Sequence, residues 1–174
     1  MVETNGRNFD LLTLGQVLLR LSPPDNERLS RGDTFVKQVG GAELNVAVGA
    51  ALLGLHTGVI SKLPAHDIGS FMKGKIRSFG VSDDFFMYDQ SPAARVGIYY
   101  YENGAYPRKP KVIYDRNHSS FFSLDIDEIP EEVYTASKCF HTTGITLALN
   151  EDIRETTIEM IKRFKAAGTL VSFD

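Results

Sequence analysis

Cysteine is nearly absent. Cys139 is the one cysteine among 174 residues, so no internal disulfide can form, which fits a reducing compartment. Clustered basic charge is missing too. The net charge is −3 and no run of Lys and Arg occurs, so a nucleic-acid-binding surface is not expected. No apolar run approaches membrane-spanning length. The opening residues, Met1 to Asn8, are polar and lack the apolar core of a signal peptide. They read as a frayed leader, and a cytoplasmic location follows by default. The four His and one Cys show no metal-ligand spacing, so no protein-held metal is expected. Internal repeats, heptads and low-complexity tracts are also lacking.

What is present is an ordinary globular composition, 43% apolar and 24% charged. The length suits one large domain, or one domain with a small appendage. The chain is organised around Val39-Gly40-Gly41-Ala42-Glu43-Leu44-Asn45-Val46-Ala47, which continues to Gly54. Gly40 and Gly41 permit positive φ and close approach by another group. Ala42 to Leu53 is good helix material, small and apolar enough to pack on a sheet. Asn45 falls in the first turn, where a polar side chain and free backbone N–H groups can face an oxygen-rich ligand. Two readings stand side by side on these residues. One is a ligand-binding helix start. The other is a tight turn feeding a buried helix, with Asn45 a local cap.

Around this stretch the pattern alternates. Phe9 to Leu14 reads as a buried strand ending at Gly15. Gln16–Leu21 and Thr34–Val39 read as short strands separated by a loop that holds Pro23-Pro24. His56–Leu63 is the next strand. Asp67 is the expected cap of a helix with Ile68, Phe71, Met72, Ile76 and Phe79 on one face. Val81–Tyr88 reads as one short strand whose Asp83-Asp84 is solvated. Ala93–Glu102 and Lys111–Arg116 read as a hairpin across Asn103-Gly104, where Pro107 and Pro110 argue for a longer loop. With the earlier pair they make a small sheet of four antiparallel strands. Pro130–Ala136 reads as a short helix and Ser137–Thr143 as a strand. Asn150 caps a helix to about Ala167, and Thr169–Phe173 is a last strand. A parallel sheet that stops at Asp174 stops where ligand-binding loops begin, so the ligand site is expected to be incomplete. His141 reads as a hydrogen-bonded core residue, and Asp10 and Asp115 have no partner visible in the sequence.

This order of parts resembles the PfkB (ribokinase-like) carbohydrate kinases, and within them the 2-keto-3-deoxygluconate kinases. The resemblance is carried by Gly40-Gly41-Ala42-Glu43-Leu44-Asn45-Val46-Ala47, Asp67-Ile68-Gly69, Gly97-Ile98-Tyr99, Tyr114-Asp115-Arg116 with Ser119-Ser120, and His141-Thr142-Thr143-Gly144-Ile145-Thr146. It covers Phe9 to Asp174. It implies an α/β ribokinase-like three-layer α/β/α sandwich, present as its N-terminal portion, with a small β-sheet lid. The core would comprise 9–15, 40–92 and 117–174, the lid 16–39 and 93–116, and the leader 1–8. It implies ATP-dependent phosphorylation of a sugar or sugar acid, with ATP and Mg2+ as cofactors and a homodimer through the lid. By position, Gly40, Gly41 and Asn45 would form the sugar site, and Tyr99, Tyr114 and Arg116 would reach it from the lid. Residue chemistry agrees in kind, since an Arg fork suits a carboxylate and Tyr offers an apolar face with a hydroxyl. Tyr100 and Tyr101 are expected in lid packing or dimer contact.

The sequence also departs from the resemblance. Pro64 stands where relatives place Gly, His66 where they are acidic, and Gln16 where Glu is frequent. No Gly-Ala-Gly-Asp segment, with its catalytic base and phosphate-cradling amides, occurs. Asp174 would open an Asp-x-Asn-x-Arg segment. No catalytic or nucleotide-binding residue is therefore expected in these 174 residues, and tested alone they are expected to lack turnover. The competing reading is a non-catalytic sugar-binding or dimerisation module.

Overall fold

The computed structural model describes residues 6–174, so residues 1–5 of the expected leader lie outside the described residues. The rest of that leader is tied down. Arg7 donates to the carbonyls of Ala167 and Gly168 at 2.7 and 3.1 Å, satisfying a helix C-terminus.

Strands β1 (Phe9–Leu14), β4 (Thr57–Pro64), β5 (Val81–Ser82), β6 (Phe86–Asp89), β9 (Ser137–Thr142) and β10 (Leu170–Phe173) form one parallel sheet. Its order is β10-β9-β1-β4-β5, with β6 also on β4. Strands β1 and β4 are buried nearly throughout, as their continuous apolar runs require of a sheet covered on both faces. Helices α1 (Ala42–Leu52) and α2 (Asp67–Ser78) cover one face. There Leu44, Ala47, Met72 and Ile76 meet Val59, Leu63 and Phe86. Helix α4 (Glu151–Ala166) and the 3-10 turns over 120–135 cover the other, where Phe121, Ile153, Met160 and Phe164 meet Leu12, Leu14, Ile60 and Phe140. This is a three-layer α/β/α arrangement.

A second sheet contains β2 (Leu18–Ser22), β3 (Val36–Gly40), β7 (Gly97–Glu102) and β8 (Lys111–Asp115), in the order β3-β2-β7-β8. The expectation of four antiparallel strands is corrected here. The outer pairs are antiparallel, while β2 and β7 run parallel. Both strands leave the large sheet in the same direction, and their connection passes through α1, α2 and the strands between.

Other elements also differ from expectation. His66, not Asp67, caps α2, its ring nitrogen accepting from the Gly69 N–H at 3.4 Å. The stretch 81–89 splits into β5 and β6, because Asp83 turns away to pair with Lys73 and Arg77. Asp83 is thus not a solvated residue. Asp10 accepts from Lys138 at 2.7 Å and from the His56 N–H at 2.9 Å, and Asp115 pairs with Arg95 at 2.9 Å. A one-turn helix, α3 (Gly144–Leu147), follows β9 where the sequence shows only a glycine stop. Asn150 does cap α4, accepting from the Ile153 N–H at 2.8 Å.

Candidate functional site

A pocket of about 410 Å³ lies between the two sheets, at the C-terminal end of β1. Strand β1 runs on toward β4 through the small sheet and α1, and its other neighbour is β9. A crevice at such a switch point is where open α/β sheets place ligands.

The floor starts at Gly41. This residue has φ +150°, and a Cβ on it would sit 2.7 Å from the Gln16 carbonyl, so only glycine fits. No side chain caps the start of α1. Ala42, Glu43 and Asn45 from its first turn face the pocket, Asn45 exposed and Glu43 buried. Gly40 does not itself line the cavity. It makes room for the Tyr99 hydroxyl, which would lie 2.4 Å from a Cβ at that position.

Strand alternation and register build the roof. Arg20 lies opposite Tyr99, Tyr99 opposite Tyr114, and Tyr101 opposite Val112. Side chains two apart share a face, so Leu18, Arg20, Tyr99, Tyr101, Val112 and Tyr114 all point the same way, into the pocket. The rings of Tyr99 and Tyr114 stand 6.0 Å apart. Arg116 lies 5.8 Å from the Tyr114 ring centroid and Arg20 4.2 Å from that of Tyr101. Burial pushes the Tyr99 phenol above its ordinary pKa, so it stays a neutral donor. Burial lowers Arg116, while Tyr114 and Glu43 act in the opposite sense. A guanidinium remains charged through such a change.

The structure therefore brings Gly41, Asn45, Tyr99, Tyr114 and Arg116 around one cavity, with Gly40 just behind. It also corrects the expectation for Tyr101, which lines the pocket. Tyr100 points to the other face and packs on Phe35, 5.9 Å between centroids.

Sequence reasoning missed three groups. Glu43 is a carboxylate at 2% exposure. Its Oε1 accepts from the hydroxyls of Thr143 and Thr146 at 2.6 and 2.7 Å, tying α1 to the β9–α3 turn. It lies over Gly15, where a Cβ would meet Oε2 at 2.1 Å. A charged residue in an otherwise apolar helix start was the available signal. Arg20 was legible only through its phase with Leu18. Gln16, read only as a departure, is buried and bonded to Arg116 and Ser119. Conversely, His141 lies buried in β9 with Nδ1 3.0 Å from the Ser172 hydroxyl, as expected of a core residue. Among the described residues no group of three or more His, Cys, Asp or Glu could hold a metal ion. No helix there is long and apolar enough to cross a membrane.

An Arg fork, phenol hydroxyls and an amide converging on a cavity of this size suit a small polyhydroxylated ligand bearing negative charge. The fold defines the class: a three-layer α/β/α architecture with a small second sheet over a crevice at the switch point. The solved 2-dehydro-3-deoxygluconokinase of Thermotoga maritima superposes with a TM-score of 0.89 at 35% identity, covering 95% of this chain and 50% of that one. The chain belongs to the pfkB family carbohydrate kinases, whose family model matches residues 8–174. A 2-dehydro-3-deoxygalactonokinase of Haloferax volcanii is 38% identical over 165 residues, 95% of this chain and 51% of the relative. A 5-dehydro-2-deoxygluconokinase of Clostridium botulinum is 30% identical over 169 residues, 97% of this chain and 49% of the relative. The chain spans about half the length of the curated relatives it matches.

Proposed function

We propose that these residues form the substrate-binding part of a kinase that phosphorylates a hydroxyl of a 2-keto-3-deoxy sugar acid, with ATP as donor. The observation that carries this reading is the pocket itself, in which Arg116 and Arg20 bring two cations beside Asn45, Tyr99 and Tyr114. The likeness to 2-dehydro-3-deoxy-sugar kinases supports the same substrate class. Arg116 would take the carboxylate through its fork, Tyr99 and Tyr114 would cover the sugar and donate from their hydroxyls, and Asn45 with the Gly41 backbone would receive the hydroxyls from below. The small sheet would act as a lid whose closure excludes water.

ATP would supply the phosphoryl group, and Mg2+, implied by the resemblance, would neutralise its charge. The described residues offer neither an acidic cluster fitting Mg2+ nor a Gly-Ala-Gly-Asp phosphate cradle. What this chain's residues do is bind and orient the acceptor. These 174 residues on their own would therefore bind the sugar acid without turning it over. A homodimer through the lid accompanies this reading, supported by the exposure of Phe35 and Ile113 on the face of the small sheet that carries Tyr100, turned away from the pocket. A cytoplasmic setting accompanies it as well, the compartment that supplies ATP.

The experiment is calorimetric titration of the purified chain with 2-keto-3-deoxygluconate, alongside light scattering and a coupled ADP-release assay. Binding without ADP release, by a dimer, is the expected outcome. Sugar-dependent ADP release would overturn the division of labour, and absence of binding would overturn the substrate reading.

A further inference from the structure

Glu43 has one oxygen more than its packing uses. The side chain is 2% exposed and stands in the first turn of α1. Oε1 accepts from the Thr143 hydroxyl at 2.6 Å and from the Thr146 hydroxyl at 2.7 Å. The Thr143 oxygen in turn accepts from the Ile145 N–H at 3.2 Å, so its own proton goes to Glu43. Oε2 makes no hydrogen bond or ion pair among the described residues. It packs over Gly15, where any Cβ would collide with it, and Glu43 lines the pocket between the sheets. The fold thus clears a space at the end of β1 for a buried carboxylate and holds it by one oxygen.

We propose that Glu43 is a specificity-determining residue of the pocket, whose Oε2 accepts a hydrogen bond from a hydroxyl of the bound sugar acid. The inference rests on the sugar-acid reading above. The tie between α1 and the β9–α3 turn needs Oε1 alone, and an amide oxygen would accept the same two hydroxyls. Removing a carboxylate from water is costly, and the N–H groups at the start of α1 offset only part of that cost. The charge is therefore the part of Glu43 that the tie does not explain. A hydroxyl donating to a carboxylate makes a charge-assisted bond, stronger than a neutral one. A buried acceptor left unpaired penalises any ligand that lacks that hydroxyl.

The placement of charge also orients the ligand. The other charged side chains lining the pocket, Arg20 and Arg116, belong to the roof, and Glu43 belongs to the floor. The carboxylate end of a sugar acid is drawn to the roof and repelled by the floor. Its hydroxyl-bearing carbons are left over Glu43.

The test compares the wild-type chain with Glu43→Gln. Both Thr hydroxyls donate, so the amide oxygen keeps them and an NH2 group takes the place of Oε2. The probes are 2-keto-3-deoxygluconate and its 4-deoxy, 5-deoxy and 6-deoxy analogues, titrated by calorimetry. In the wild type, the analogue lacking the partnered hydroxyl is expected to bind about 10- to 100-fold more weakly than the parent. In Glu43→Gln that one preference should largely disappear, while the preferences over the other analogues persist. Preferences that the substitution leaves unchanged, or a loss of affinity shared equally by all four probes, assign Glu43 to structure alone and overturn the proposal. A wild type that discriminates against no analogue overturns it as well. A wild type that binds none of the probes overturns the sugar-acid reading and this inference with it. Should Glu43→Gln fail to fold, carbon NMR of the labelled wild type serves. The Glu43 Cδ resonance should move on addition of 2-keto-3-deoxygluconate and stay in place with one of the analogues. Equal movement with all four probes, or none, overturns the contact.

Discussion

At Gly41 the backbone leaves no space for a side chain. Its φ of +150° and the 2.7 Å approach of the Gln16 carbonyl leave no room for a Cβ. Gly41→Ala should therefore destabilise the chain by about 1–3 kcal/mol. Gly49, in the middle of α1, offers the opposite case. Nothing lies within 4 Å of a Cβ built there, and its φ is helical. Gly49→Ala should stabilise by about 0.4–1 kcal/mol. Urea midpoints of the two variants check both signs. The doublet Gly40-Gly41 was visible in the sequence as a turn into an Ala-rich helix, while a tight turn and a ligand-binding helix start stood there as equal readings. Gln16 was not, since a lone glutamine carries no pattern and its partners lie about a hundred residues away.

Among the elements, β1 is held on both sides by one carboxylate. Asp10 reaches Lys138 on β9 and the N–H of His56, just before β4. The Lys138 ammonium, together with the His56 N–H, keeps the Asp10 carboxyl below the usual carboxylate range. A depressed folded-state pKa means stability present above the unfolded value, about 3.9, and lost as pH falls through the lower folded value. Asp10→Asn should lower the melting temperature by about 2–4 °C at pH 7, a partly exposed pair being worth little. The difference should shrink below about pH 4 and vanish once wild-type Asp10 is protonated. Thermal scans across that range check it; a difference that stays constant with pH would assign the loss to packing. The caps divide on the same lines. Asn150 was legible because its side chain bonds three residues ahead, whereas Asp67 was displaced by His66, whose ring reaches the Gly69 N–H.

At the scale of the molecule, two apolar clusters sandwich the parallel sheet. Phe140 and Phe164 stack across one face, 4.1 Å between centroids at 13°, both fully buried. Phe140→Ala leaves a cavity that helix α4 cannot close without losing Ile153 and Met160 contacts, and should cost about 3–5 kcal/mol by denaturant unfolding. The layer order was present in the sequence by itself, because strand runs apolar throughout require cover on both faces and the helical stretches carry an apolar stripe on one side. So were the glycine floor and the hairpin bearing Tyr99, Tyr114 and Arg116. What only the tertiary structure decided was pairing between distant segments. The parallel contact of β2 with β7, the burial of Glu43 under Thr143 and Thr146, and the seat of Gln16 depend on which strand ends meet at the crevice. Local periodicity reports which way a side chain faces along its own element. It carries no record of what stands opposite, and a buried amide or carboxylate takes its role from that opposite group alone.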